Sequence, residues 1–80
     1  MVTVKLYGVL REEYGASPLV IESGSVREVL SHVAKTDVDE KFLRSCVMFV
    51  NNRPLRGAVR LSARLRDGDE LALMPPVSGG

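Results

Sequence analysis

The feature of this sequence that most constrains its fold is one well-marked helix in the first half of the chain. Ser25 and Glu28 have the spacing of a capping box, in which the Ser25 hydroxyl accepts a hydrogen bond from the Glu28 amide and the Glu28 carboxylate accepts one from the Ser25 amide. The apolar residues that follow lie at helical spacing in one narrow stripe: Val26, Val29, Leu30 and Val33. A helix with a single apolar stripe must bury it against another layer, so we expect this helix to pack on a sheet.

Two apolar runs before the helix predict a β-hairpin with a helical connection. Residues 2–6 alternate apolar and polar side chains, which is typical of a half-buried strand. Residues 9–14 predict a short helix or turn that ends at Gly15. Residues 18–21 then form a second short apolar run, which we interpret as the returning strand.

Further strands are predicted after the helix. Residues 37–44 indicate another helical turn and residues 47–50 a third strand, which is too uniformly apolar to assign an inner face. The composition of residues 51–54 is typical of a turn, and residues 55–66 predict a connection that holds no more than one short strand. A tight turn precedes the last strand, residues 71–74, which the next two prolines end. The order strand, strand, helix, strand, strand predicts an α+β fold in which one main helix packs across a mixed sheet.

Length, charge and composition exclude several classes of function. Eighty residues, 45% of them hydrophobic, make one small domain, residues 1–80, that is too small for an elaborate enclosed active site. A net charge of +1 gives no field that would attract nucleic acid or an anionic membrane. No apolar run has the length of a signal or membrane span, and a single cysteine fits a reducing compartment. We therefore expect a cytoplasmic protein that binds neither nucleic acid nor membrane.

The residues that usually carry catalysis are missing from the sequence. His32, the single histidine, falls on the polar side of the predicted helix, and we interpret it as a surface residue. Cys46 has no identifiable base and is interpreted as a core residue; a lone cysteine also excludes four-cysteine metal sites. No glycine-rich phosphate loop is present. We therefore expect no bound metal or cofactor and no self-sufficient enzyme.

Arginines crowd the segment from residue 53 to residue 66. Such a cluster could mark a surface that faces phosphate, but no aromatic residues that could stack bases lie among them. Three acidic residues follow closely, so we favour a solvated face. The arginines are Arg53, Arg56, Arg60, Arg64 and Arg66.

Residues 75–80 have the features of an extended functional tail. The two prolines favour a polyproline conformation that projects from the sheet, and the four residues beyond them span at most roughly 14 Å. This reach is enough to enter a pocket of another protein. The last two residues lack side chains, so a narrow channel can close around their backbone. The tail consists of Pro75, Pro76, Val77, Ser78, Gly79 and Gly80.

The carboxyl of Gly80 is the group on which chemistry can occur. A free α-carboxyl has a pKa of about 3.5 and is a poor acyl electrophile at neutral pH, so reaction requires activation by a partner. The obvious route is an acyl adenylate made with ATP, which a sulfur donor converts to a thiocarboxylate. The alternative is that Gly79 and Gly80 are simply a small, frayed chain end. The terminal Gly-Gly by itself leaves both interpretations open.

The sequence from Asp67 to Gly80 closely resembles the C-terminus of the small subunit of molybdopterin synthase. Residues 6–8 and 10–12, with Gly15, resemble the opening of that family, and residues 50–51 resemble its middle turn. The resemblance therefore spans nearly the whole chain. It implies the β-grasp, ubiquitin-like fold, which agrees with the order of elements predicted above.

The resemblance also implies a sulfur carrier for molybdenum cofactor biosynthesis, the non-catalytic small subunit of a sulfurtransferase complex. An E1-like adenylating enzyme uses ATP to activate Gly80, a sulfur donor protein converts the adenylate to a thiocarboxylate, and the tail enters the large subunit of molybdopterin synthase to deliver sulfur to a pterin precursor. Gly80 is the reacting residue, and Gly79 gives it access. The chain departs from the family at Met74, where an aromatic residue is common, and in its longer arginine-rich segment.

Three other functions remain open. A thiamine-pathway sulfur carrier shares the fold and the Gly-Gly end, although residues 75–77 resemble the molybdopterin branch better. A ubiquitin-like modifier that attaches Gly80 to lysines would use the same activation. A noncovalent interaction module with an inert tail would not be adenylated at all.

Tyr7 and Met74 are predicted to lie together on the outer face of the sheet. If residues 2, 4 and 6 face the helix, Tyr7 points away from it, and if Leu71 and Leu73 face the core, Met74 points outward with residues 70 and 72. The implied fold pairs the first and last strands in parallel, which places both side chains at the root of the tail. We interpret them as the centre of a partner interface; the alternative is that they are isolated exposed hydrophobic residues.

Overall fold

The computed structural model, which describes residues 1–15 and 18–76, is a mixed β-sheet with a helix packed across one face. The strands are β1 (Val2–Leu6), β2 (Leu19–Ile21), β3 (Gly24–Ser25), β4 (Val47–Val50), β5 (Arg53–Leu55), β6 (Arg64–Leu65) and β7 (Glu70–Met74). The helices are α1 (Val9–Tyr14), α2 (Val26–Val33) and α3 (Asp37–Ser45), and Arg60–Ser62 forms one 3-10 turn.

The main sheet has the strand order β2-β1-β7-β4-β5. Its central pair, β1 and β7, is parallel, and its other pairs are antiparallel. A separate small ribbon joins β3 to β6. This is the β-grasp arrangement, so the predicted α+β fold with one main helix across a mixed sheet is confirmed.

Helix α2 begins where the capping box predicts. The Glu28 amide donates to the Ser25 hydroxyl at 3.1 Å, and the Ser25 amide donates to the Glu28 carboxylate at 2.9 Å. All four residues of the predicted stripe are buried. Each such side chain stabilises the fold by roughly 1.5–3 kcal/mol when it is fully buried. The stripe is therefore the main attachment of the helix to the sheet.

The core lies between α2 and the inner face of the sheet. Alternate residues of β1, namely Val2, Val4 and Leu6, are buried, and their partners on β7 include Leu71 and Leu73. Cys46 is buried in the same core and His32 is exposed, as predicted for both. Among the described helices, none is long and apolar enough to cross a membrane.

The predicted turn over residues 51–54 is wrong in its second half. Only Asn51 and Asn52 form the turn, and both have positive φ, at 50° and 68°. Arg53–Leu55 is strand β5, which pairs antiparallel with β4 at the edge of the sheet. Pro54 is tolerated there because an edge strand can lack one N–H without breaking the ladder of a neighbour.

Two further segments hold more regular structure than the sequence predicts. The helical turn expected at residues 37–44 is the nine-residue helix α3, which begins after Thr36, whose hydroxyl accepts from the Asp39 amide at 3.1 Å. The connection at residues 55–66 contains a 3-10 turn and the short strand β6. Strand β6 pairs with β3, and it is the one short strand that was expected between residues 55 and 66.

Candidate functional site

The predicted tail starts at the end of the central strand of the sheet. Pro75 and Pro76 directly follow β7, with Pro75 partly buried and Pro76 exposed. The other predicted tail residues, Val77, Ser78, Gly79 and Gly80, lie outside the described residues. The structure therefore specifies where the tail leaves the domain.

Strand β7 is held on both sides up to the tail. Leu73 pairs with Leu6 of β1 and with Met48 of β4. Beyond the end of β1, the Tyr7 amide donates to the Leu73 carbonyl at 3.1 Å. A tail that leaves from a strand paired on both sides starts from a well-determined position, because hydrogen bonds on both edges restrict the strand.

Gly8 gives the first residue of the tail room to pack against the backbone. Its φ is +61°, and a Cβ at this position would lie 3.1 Å from Cγ of Pro75 and 3.2 Å from its Cδ. Glycine is the residue that accepts both this backbone conformation and the close approach. The sequence shows only a glycine after a strand; its contact with Pro75 depends on the parallel pairing of β1 with β7 and was missed.

The structure places Tyr7 and Met74 at neighbouring positions of the sheet, both outside the core. The side chain of Tyr7 is 41% exposed, whereas Met74 is partly buried. Since Leu6 is the register partner of Leu73, the next residues along the two parallel strands are Tyr7 and Met74. Their role as a partner interface stays a prediction.

Strand β4 adds apolar residues to this outer face of the sheet. The sequence did not show which residues of β4 point to that face. Met48 is buried opposite Leu73, so its neighbours Val47 and Phe49 point to the outer side. Val47 pairs with Met74, and Phe49 with Pro54 of β5. We call this surface the apolar face; it consists of Tyr7, Val47, Phe49, Pro54, Ala72 and Met74.

The polarity of the outer surface changes along β7. Glu70, at the start of the strand, forms an ion pair with Lys5 at 3.2 Å. Ala72 follows on the same side and is buried rather than exposed, because it lies on the central strand between Lys5 and Phe49. Met74 comes last, next to the tail. The apolar end of the surface is therefore the end from which the tail leaves.

Two titratable groups of the described chain, Cys46 and Tyr14, have clearly raised pKa values. Burial raises the pKa of the Cys46 thiol to about 11, although the nearby Arg60 guanidinium opposes this, so the thiol is protonated at neutral pH. Burial, together with a hydrogen bond to Asp39, raises the pKa of Tyr14 to about 12. No group of residues suited to hold a metal ion occurs in residues 1–15 and 18–76.

Comparison with known proteins places the chain in a family. The model of the ThiS family matches residues 4–80, which is most of the sequence. The chain belongs to the ThiS family. No curated protein sequence matches it. Membership of the ThiS family bears out the sulfur-carrier resemblance read from the sequence.

Solved structures extend this relationship. The small archaeal modifier protein 1 of Methanosarcina acetivorans is 29% identical, with 99% of this chain and 95% of that chain covered and a TM-score of 0.79. A chain of the BexX/CysO complex of Amycolatopsis orientalis is 26% identical over 100% of both chains, with a TM-score of 0.76.

A third solved structure supports the fold alone. The complex of subunits 1 and 2 of molybdopterin-converting factor from Helicobacter pylori is 24% identical, with 99% and 97% covered and a TM-score of 0.65. Together these findings give the chain the fold of a ThiS-type sulfur carrier or ubiquitin-like modifier. Two of the three relatives were solved as complexes with another protein.

Proposed function

We propose that the chain is the sulfur-carrying small subunit of a molybdopterin synthase, with the carboxyl of Gly80 as its working group. The observation that carries this proposal is the tail that leaves the central strand β7 beside the apolar face and ends in Gly79-Gly80. Membership of the ThiS family and the resemblance of residues 67–80 to the molybdopterin branch support it.

Activation by a partner follows from the chemistry of the tail. An oxygen of the Gly80 carboxylate attacks the α-phosphorus of ATP in an E1-like enzyme, and pyrophosphate leaves. The resulting acyl adenylate has AMP as a good leaving group. Sulfur supplied by a donor protein at the oxidation level of sulfide attacks the acyl carbon, AMP departs, and the thiocarboxylate remains. This chain contributes the accessible carboxyl, and the partner contributes the catalytic groups.

The apolar face and the tail have complementary tasks in this proposal. The apolar face seats the domain on the large subunit of molybdopterin synthase, where exposed aromatic and methionine side chains are suited to a protein interface. Gly8 and Pro75 then set the point at which the tail departs towards the partner's active site. In that site the thiocarboxylate transfers sulfur to the pterin precursor.

Mass spectrometry of the activated protein tests the proposal. With the cognate E1-like enzyme, ATP and a sulfur source, we expect a mass gain equal to the replacement of one carboxyl oxygen by sulfur. Addition of the large subunit and the pterin precursor should then return Gly80 to the carboxylate. A protein that is never adenylated is an inert interaction module. A thiocarboxylate that supplies a thiazole-forming enzyme instead would indicate a thiamine-pathway carrier.

A second candidate is a ubiquitin-like protein modifier. The observation that favours it is the similarity to the small archaeal modifier protein 1. Of the three relatives described above, that protein has the highest identity and TM-score. A modifier would transfer the Gly80 acyl group to a lysine amine. An isopeptide adduct at Gly80, formed without a thiocarboxylate product, would support this candidate over the sulfur carrier.

A further inference from the structure

A groove of about 420 Å³ lies between the end of α3, the β4–β5 hairpin and the segment from residue 56 to residue 60. Its walls are largely apolar and include Met48, Pro54 and Leu55. Two arginines, Arg56 and Arg60, also line it. We call it the arginine groove. From the sequence alone, these arginines are interpreted only as part of a solvated face.

Arg60 is anchored in the groove with one donor unused. Its Nη2 donates to the carbonyl of Arg44, one of the last carbonyls of α3, where a cation is also favoured by the helix dipole. Its Nη1 is buried and has no hydrogen-bond partner among the described residues. A buried guanidinium N–H without an acceptor is unfavourable, which favours a shift of the Arg60 side chain that brings this atom to an acceptor in the groove.

Arg56 adds a second positive charge to the same groove. Its side chain is exposed, and within the described chain it takes part in no ion pair. Arg60 likewise lacks an acidic partner among those residues, and no Asp or Glu lines the groove. Two arginines that line one cavity without an acidic partner attract an anion, since no Asp or Glu of the groove lining offsets their charge.

The groove is continuous with the apolar face. Val47, Phe49 and Pro54 belong to the apolar face and also line the groove. A protein seated on the apolar face therefore meets the groove where it extends around the edge of the sheet. An acidic side chain at that edge could place its methylene stem against the apolar wall and its carboxylate between the two arginines.

We propose that the arginine groove receives an aspartate or glutamate side chain of the protein that docks on the apolar face. This inference rests on the proposed function, in which that protein is the large subunit of molybdopterin synthase. The carboxylate accepts from Nη1 of Arg60 and pairs with Arg56. Its two oxygens suit two guanidinium groups, and its methylene stem suits the apolar wall, which a free phosphate would leave uncovered.

Binding of the large subunit to charge-reversal variants tests the proposal. Arg56→Glu should lower the affinity for the large subunit by at least about tenfold, because it places a like charge beside the incoming carboxylate. Arg53→Glu is the matched control: it makes the same charge change three residues earlier in the chain, at an exposed arginine that does not line the groove. Its effect should stay below about threefold.

Two further measurements locate the contact. The wild-type affinity should fall as salt is raised, and this dependence should weaken in Arg56→Glu but persist in Arg53→Glu. In the wild-type protein, the side-chain N–H signal of Arg60 should shift on addition of the large subunit. Both results are expected only if the groove is occupied in the complex.

The outcomes separate this inference from the proposed function. If the wild-type protein does not bind the large subunit, both are wrong. If it binds, but Arg56→Glu and Arg53→Glu behave alike and the Arg60 signal does not move, only the groove is assigned wrongly. If inorganic phosphate at constant ionic strength displaces the large subunit from the wild-type protein and not from Arg56→Glu, the groove is a phosphate site and the carboxylate is excluded.

Discussion

Gly8→Ala tests whether contacts within the folded domain set the position and direction in which the tail leaves it. The new Cβ would lie 3.1 Å from Cγ of Pro75, whereas ordinary contacts begin at 3.4 Å, so the start of the tail must move by a few tenths of an ångström. The backbone of Gly8, at φ 61° and ψ −139°, is one that alanine adopts only with strain. That strain costs about 1–3 kcal/mol of folding free energy.

The expected result is a loss of function beyond the loss of stability. Displacing the reacting end of a chain by about 1 Å can cost up to roughly 100-fold in rate, so a shift of a few tenths of an ångström at the root should lower sulfur transfer several-fold. The measurement is single-turnover transfer from the thiocarboxylate to the pterin precursor in the large subunit, made at a temperature where urea denaturation shows the variant to be folded.

Gly68→Ala is the matched control for this experiment. Gly68 also has a positive φ, of 91°, but a Cβ there meets nothing within 4 Å, and the residue lies in the turn before β7, at the opposite end of the strand from the tail. It should therefore lose stability and keep its transfer rate. Equal transfer rates for folded Gly8→Ala and Gly68→Ala would refute the idea that the contact between Gly8 and Pro75 positions the tail.

Three further predictions concern the tail, the apolar face and the exposed carboxylates. Deleting Gly80, or fusing a tag after it, should abolish thiocarboxylate formation in the mass-spectrometric assay and leave the melting temperature unchanged, because the last residues of a domain usually contribute little to its stability. Changing Tyr7 or Met74 to aspartate should weaken binding to the large subunit, measured by calorimetry, with little change in thermal stability, because both side chains lie outside the core. Hydrogen bonds with Ser25 lower the pKa of Glu28 in the folded protein. The ionised Glu28 carboxylate therefore stabilises the fold fully above the ordinary carboxyl pKa of about 4.3. This stabilisation should be lost as the pH falls through the lower pKa of Glu28 in the folded state.

Controls exist for each of these predictions. Full sulfur transfer by a C-terminally tagged protein would end the hypothesis that Gly80 reacts. Val20→Asp changes an exposed apolar residue on the edge strand β2, away from the apolar face, and should keep partner affinity; an equal loss there would mean that any added charge is harmful. Glu28→Gln should flatten the acid limb of a plot of melting temperature against pH, and an unchanged limb would contradict the role of the capping carboxylate.

Several parts of the fold could be predicted from local sequence patterns. The capping box and the stripe of α2 involve residues within eight positions of each other, so the helix and its buried face could be predicted from the sequence. The alternation of β1 predicted Val2, Val4 and Leu6 as its inner residues. The end of β7 was likewise predictable, because Pro75 and Pro76 end a strand through their own backbone preferences.

Only the tertiary structure decided the features that depend on distant pairing. Strand β4 is apolar at every position, and its inner side follows from register, which sets Met48 opposite Leu73. The strands β3 and β6 are too short to show a period, and each is formed by pairing with the other.

The two contacts on which our proposals depend are also non-local. Gly8 meets Pro75, 67 positions away, because β1 and β7 run in parallel. Arg60 donates to the carbonyl of Arg44 near the end of α3, and its Nη1 is buried without a partner among the described residues. Side-chain period and backbone preference act between near neighbours, so they carry no information about which strand edges or helix ends will meet. That is settled only when the strands pair and the core closes.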